Sequence, residues 1–198
     1  MNIAFVCQLA LAVTFNILVM APSAGEEPAT AGHEAKLAAE PTLSTAKSVT
    51  FNGQTLNLAW EGGQAGAAIR EYLPAGEQLE NWRHLASIRE YADLNDPREL
   101  AAGTLQTVQQ TYPGAPHNMA DNPETGETVI DFLVGPPNGS FVEYNIFKYA
   151  KRPEGGVIAQ QYAVRNYDNP AEFTEKELPA IRGRVINEMA TDGLQVVK

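Results

Sequence analysis

The stretch from Glu127 to Tyr167 constrains the fold most. Three runs rich in β-branched and aromatic residues, at 128–134, 141–150 and 157–167, are separated by Pro136-Pro137-Asn138-Gly139 and Pro153-Glu154-Gly155-Gly156. Apolar runs bounded by Gly, Pro and Asn read as strands joined by tight turns, so the pattern predicts an antiparallel meander.

Taking Asn138-Gly139 and Glu154-Gly155 as two-residue turns sets the register. One face then carries Ile130, Phe132, Phe147, Tyr149, Ile158 and Tyr162, dense enough to be the core. The other carries Asp131, Tyr144, Lys148, Gln161, Arg165 and Tyr167, with Tyr144 across from Arg165 and Lys148 across from Gln161. Tyr144, Lys148, Gln161, Arg165 and Tyr167 form the expected ligand or partner face, aromatic and cationic, suited to a small anion, a sugar or a protein. The competing expectation is that a helix or the first hairpin covers this face, its long polar side chains reaching past apolar neighbours. A three-residue loop at either turn would exchange the two faces.

Upstream, Asn52-Gly53 separates strand-like runs at 48–51 and 55–60, a strong hairpin signal. A third strand is expected at 67–73, ended by Pro74-Ala75-Gly76. Residues 78–82 then make at most a short helical turn before a strand at 85–91, with a full helix from Glu77 as the alternative. Trp82 is expected to plug the core edge where strand and turn meet. Asp96 can cap a helix whose first residue is Pro97, with Leu100, Leu105, Val108 and Tyr112 on one side and Pro113 stopping it. A second amphipathic helix carries Leu178, Ile181, Val185, Ile186 and Met189 and stops near Gly193. Its start is set either by the capping-box spacing of Thr174 and Glu177 or by Pro179. The expected class is α+β: an antiparallel sheet of about six strands packed with two main helices.

Residues 1–25 contain no Asp, Glu, Lys or Arg; they are mostly apolar from Ile3 to Met20, then small, and Glu26-Glu27 follows. That order describes a cleavable secretory signal, cut after Ser23 or Gly25. A retained membrane anchor is the alternative. Residues 26–46, rich in Ala, Glu, Pro and Thr, read as a flexible leader, and 47–198 as a single domain. The expected location is secreted or periplasmic. Cys7, the one cysteine, falls within the signal, so disulfides and thiolate chemistry are excluded from the exported domain. The net charge of −10 argues against nucleic acid and against anionic membranes as partners.

No Gly-x-Ser-x-Gly elbow and no Gly-rich phosphate loop followed by Lys occurs. His33, His84 and His117 lack metal-ligand spacing, and Asp121, Asn122, Glu124 and Glu127 do not fit a calcium loop. No cofactor, no metal and no catalytic residue is therefore expected. The leading expectation is an exported non-enzymatic domain that binds a protein partner or small ligand. Two others stand beside it: a periplasmic hydrolase using carboxylates such as Asp121, Glu124 and Asp131, and an acidic inhibitor or immunity-like protein.

The phrases "EYLPAGEQLENW", "FLVGPPNGSFVEYNIFKY" and "QQYAVRNY" resemble those of small uncharacterised secreted bacterial proteins. The order of signal, leader, hairpin, capped helix, meander and terminal helix is similar to the PsbP/Mog-type α/β fold over residues 47–198. That resemblance implies a non-catalytic scaffold that binds or assembles other proteins, and it supplies no matched site residue.

Overall fold

Asn52 and Gly53 take φ values of 52° and 72°, the left-handed pair that a two-residue hairpin turn needs. They join β1 (Ser48–Phe51) to β2 (Gln54–Gln64), and β3 (Ala67–Leu73) and β4 (His84–Tyr91) follow. The computed structural model describes residues 42–64 and 66–197; the expected signal and residues 26–41 of the expected leader lie outside them. Within the leader's last residues, Leu43–Thr45 forms a 3₁₀ turn, and Ala46 is buried with its carbonyl accepting the Tyr72 hydroxyl at 3.1 Å.

Asp96 caps helix α1 (Pro97–Thr111), its carboxylate accepting the Arg98 and Glu99 amides at 2.9 and 3.2 Å. Strands β5 (His117–Asp121), β6 (Thr128–Val134), β7 (Val142–Lys151) and β8 (Val157–Asn166) come next. A continuous helical stretch then runs from α2 (Pro170–Glu172) through a π turn at Phe173–Glu177 into α3 (Leu178–Thr191), and β9 (Gln195–Val196) ends the fold. The helical stretch begins ahead of both expected starts, at Asn169, which accepts the Glu172 amide at 3.2 Å, while its α3 segment opens at Leu178, one residue from the Pro179 start. The wider π turn ends at Glu177, two residues before Pro179, which has no amide hydrogen to give the ladder.

All pairings are antiparallel, in the order β5-β6-β7-β8-β4-β3-β2-β1-β9. This overturns the expected α+β class with about six strands. The described residues form a mostly β domain, a nine-stranded sheet curled into a half-barrel, with two long helices. Two causes explain the difference. Strand β5 buries almost nothing and β9 is two residues long, so neither carries an alternating apolar signal. Pairing of β4 with β8 also fuses the N-terminal hairpins and the meander into one sheet, a long-range contact that local patterns do not encode.

Each face of the sheet has its own core. On one, α3 and the π turn place Phe173, Leu178, Val185 and Met189 against Phe51, Tyr72, Ile88, Tyr144, Ile146 and Tyr162. On the other, α1 places Ala101, Leu105 and Val108 against Ile130, Phe132, Phe147 and Tyr149. A smaller cluster on the α1 side gathers Leu73, Leu85 and Ala163 around Trp82, which is 4% exposed and closes the core edge at the 74–83 turn.

The meander register is half as expected. Strands β6 and β7 pair Ile130 with Phe147 and Leu133 with Tyr144, as an Asn138-Gly139 turn requires. Between β7 and β8 the first pair is Lys151 with Val157, and residues 152–156 form the loop. Gly155 and Gly156 both take positive φ, and the Arg152 amide donates to the Gly156 carbonyl at 3.0 Å. The one-residue shift pairs Tyr144 with Val164, Glu143 with Arg165 and Lys148 with Gln160. The expected pairs Tyr144–Arg165 and Lys148–Gln161 do not form, because a shift of one turns every β8 side chain to the opposite face.

Candidate functional site

The register exchange divides the five expected site residues. Tyr144 and Lys148 face α3. The Tyr144 hydroxyl is closed to water without a hydrogen bond, and burial with the Asp131 charge pushes its phenol up. Lys148 donates to the Ala190 carbonyl near the C-terminal end of α3 at 3.1 Å and pairs with Glu127 at 3.0 Å. A cation there offsets the partial negative charge of the helix end. Both residues fasten a helix to the sheet.

Gln161, Arg165 and Tyr167 lie on the α1 side, within a chain of polar groups. Gln161 Oε1 accepts from Ser87 Oγ at 2.9 Å and Arg89 Nη2 at 3.1 Å, and its Nε2 donates to Asn145 Oδ1 at 2.7 Å. Asn145 Nδ2 donates to Glu143 Oε1 at 2.8 Å. Glu143 Oε2 accepts from Arg165 Nε and Nη2 at 2.9 and 2.6 Å. The Arg165 guanidinium lies 4.0 Å from the Trp82 ring centroid and 4.5 Å from that of Phe141, and its Nη1 donates to the Tyr167 hydroxyl at 3.1 Å. Burial works against the Arg165 charge, and Glu143 and Tyr167 more than restore it, so its pKa is raised. With both edges bonded and both planes near rings, Arg165 is a structural latch rather than a free cation.

The reachable part of this face lies farther along the same row. Trp60 on β2 pairs with Glu71 on β3, Glu71 with Ser87 on β4, and Ser87 with Gln161 on β8. Ser87 is fully buried, Glu71 and Arg89 are half-buried, and Trp60 is 43% exposed. Burial pushes the Glu71 carboxyl up, and the Arg89 charge pulls it partly back. The Trp60 ring lies over the Gly62 backbone, where any β-carbon would collide with it. Strand β1 pairs with β2 only along Gln54–Asn57, and the Leu58 amide bonds the Lys47 carbonyl at 2.9 Å. From Trp60 to Gln64, β2 pairs with β3 alone, so among the described residues its outer edge has no neighbouring strand.

Sequence reasoning placed Trp60, Glu71, Ser87 and Arg89 on strands without singling them out. The signal was the alternation in "HLASIREY", where Ser87 and Arg89 share one face while Ala86 and Ile88 fill the other.

The carboxylates suggested for hydrolysis diverge. Asp131 faces α3 and accepts Arg182 Nε and Nη2 at 2.7 and 2.9 Å. Asp121 lies at the β5 edge, where hydrogen bonds from Arg98 and Thr128 hold its carboxyl below the usual range. Glu124 is exposed in the turn between β5 and β6. His117 stands on β5, not in a loop, its Nδ1 3.0 Å from the Ala115 carbonyl. Among the described residues, no three His, Cys, Asp or Glu side chains converge as metal ligands.

No curated protein and no solved structure matches the chain. A family model does match residues 43–192, the stretch from the first 3₁₀ turn past the end of α3, and the chain belongs to that uncharacterised family.

Proposed function

We propose that this protein is an exported, non-enzymatic domain that binds a protein partner, which adds an extended segment along the outer edge of β2. The observation that carries this reading is Trp60, an exposed tryptophan on a stretch of strand that has no outer neighbour among the described residues. Open edges are usually blunted by Lys, Pro or a covering element, because their free amides and carbonyls recruit other strands. Residues 59–64, Ala-Trp-Glu-Gly-Gly-Gln, contain neither Lys nor Pro. Gly62 and Gly63 let a second backbone come close, and Trp60 gives the partner an aromatic anchor. The net charge of −10 favours a basic segment. Export is inferred from the uncharged apolar start and the small residues that follow it.

The test is affinity capture from the exported fraction with the full chain as secreted, followed by mass spectrometry and hydrogen exchange on the recovered complex. A stoichiometric partner should protect the amides of residues 60–64, and Trp60→Lys should abolish capture without altering the melting curve. A partner that leaves those amides unprotected, or binds Trp60→Lys equally well, removes the strand-addition reading.

A further inference from the structure

Arg70, Arg83, Arg98, Arg152, Arg165 and Arg182 each meet a carboxylate. Among the described residues, Arg89 and Arg184 do not. Arg184 is exposed and bonds the Asn52 side chain. Arg89 differs, because it is half-buried on the α1-side face. Its Nη2 donates to Gln161 Oε1, its guanidinium lies 5.7 Å from the Phe147 ring centroid, and its Nε is closed to water with no partner among the described residues. Gln161 Oε1 already accepts from Ser87 as well, so it has no lone pair left for a further donor. A buried donor without an acceptor costs about 1–3 kcal/mol. The Glu71 carboxyl is near enough to feel the Arg89 charge but forms no ion pair with it.

We propose that Arg89 binds a small free monocarboxylate on the open part of the α1-side face, with Gln161 fixing the guanidinium and Ile69, Glu71 and Trp60 forming the outer wall. The planar fork of arginine matches the two oxygens of a carboxylate, and a modest turn of the group supplies Nε with the acceptor it lacks. Ile69, level with Arg89 on β3, and the Trp60 ring offer apolar contact to the acid's carbon skeleton. Glu71 selects for one negative charge, because its carboxyl would repel a second. None of this depends on the β2 edge taking a partner strand.

The experiment is side-chain nitrogen–proton NMR on the full secreted chain, titrated separately with benzoate, hexanoate, succinate and inorganic phosphate. Benzoate or hexanoate should move the Arg89 Nε–H resonance and leave that of Arg184 in place. Arg89→Gln should weaken binding at least about tenfold, or ~1.4 kcal/mol, while Arg184→Gln should not. If no monocarboxylate moves the Arg89 resonance, the proposal fails, and the wild-type titration decides this even if Arg89→Gln does not fold. It fails equally if Arg89→Gln binds as tightly as wild type, or if phosphate or succinate acts as strongly as benzoate and hexanoate. Loss of partner capture in Arg89→Gln, with no small acid bound, would assign Arg89 to the partner: this proposal falls and strand addition stands.

Discussion

At the scale of single residues, buried charge is tolerated here where it is saturated. Glu143 and Arg165 are almost wholly shielded, yet both Glu143 oxygens and all three Arg165 nitrogens are hydrogen-bonded, by Asn145, Tyr167 and the pair itself. Removing one partner of such a pair generally costs about 3–5 kcal/mol, because the other charge is left stranded. Glu71 is the opposite case: half-buried, with no ion-pair partner among the described residues, its carboxyl pushed up by desolvation. A folded-state pKa above the unfolded one means that folding favours the protonated form. The contribution of Glu71 to stability is therefore present below the unfolded carboxyl range and is lost as pH rises through its raised folded value. Glu71→Gln stays neutral throughout, so it should raise the urea midpoint at pH 7 and lose that advantage below about pH 4. A variant less stable than wild type at pH 7 would make Glu71 a stabilising counter-ion of Arg89 instead.

Among the elements, α1 owes its start to one side chain. The Asp96 carboxylate takes two otherwise unpaired amides, and Pro97 needs no acceptor for a hydrogen it lacks. Asp96→Ala should lower stability by about 1 kcal/mol, read from denaturant melts, whereas Asp96→Asn should retain most of it. Where such local chemistry sets an element, the sequence was enough. It placed the start and end of α1, the Asn52-Gly53 hairpin, β3 and β6, and Trp82 as a plug at the core edge, where it packs with Leu73 and Leu85. It failed where the deciding contact is distant or the geometry turns on one residue. "PEGG" accommodates a loop of either parity, and the choice of 152–156 sent Gln161 and Arg165 to the face opposite Tyr144 and Lys148. The expected site thus split in two, and the α3-side half became helix fastening. No local pattern marks β5 or β9, because their strand character comes from the neighbours they pair with.

At the scale of the whole sheet, its two ends are finished differently. The β5 end is a short, mostly exposed edge strand, and Arg98 of α1 reaches across to bond Asp121 on it at 2.9 Å. At the other end the chain's last residues return to its first strand: Val196 pairs with Val49, and the Val197 amide donates to the Ser48 carbonyl at 3.1 Å. Leu194, 2% exposed, enters the α3-side core on the way, and its amide donates to Gln160 Oε1 at 2.7 Å. Sequence positions nearly the whole domain apart thus close one core, and among the described residues the edge of β1 is covered while that of β2 beyond Leu58 is left open. Deleting residues 193–198 would remove a fully buried leucine, strand β9 and the acceptor role of Gln160 together. Loss of a core leucine alone costs about 2–5 kcal/mol, so the truncated protein should unfold at markedly lower denaturant. It should also associate through the newly bared β1 edge, seen as concentration-dependent sedimentation. Leu194→Ala separates the two effects: it should reproduce most of the stability loss while leaving β9 in place and the sedimentation as in wild type. If the truncation instead melts like wild type, the return of the chain to β1 contributes nothing to the fold, and the open edge of β2 loses its contrast with a guarded one.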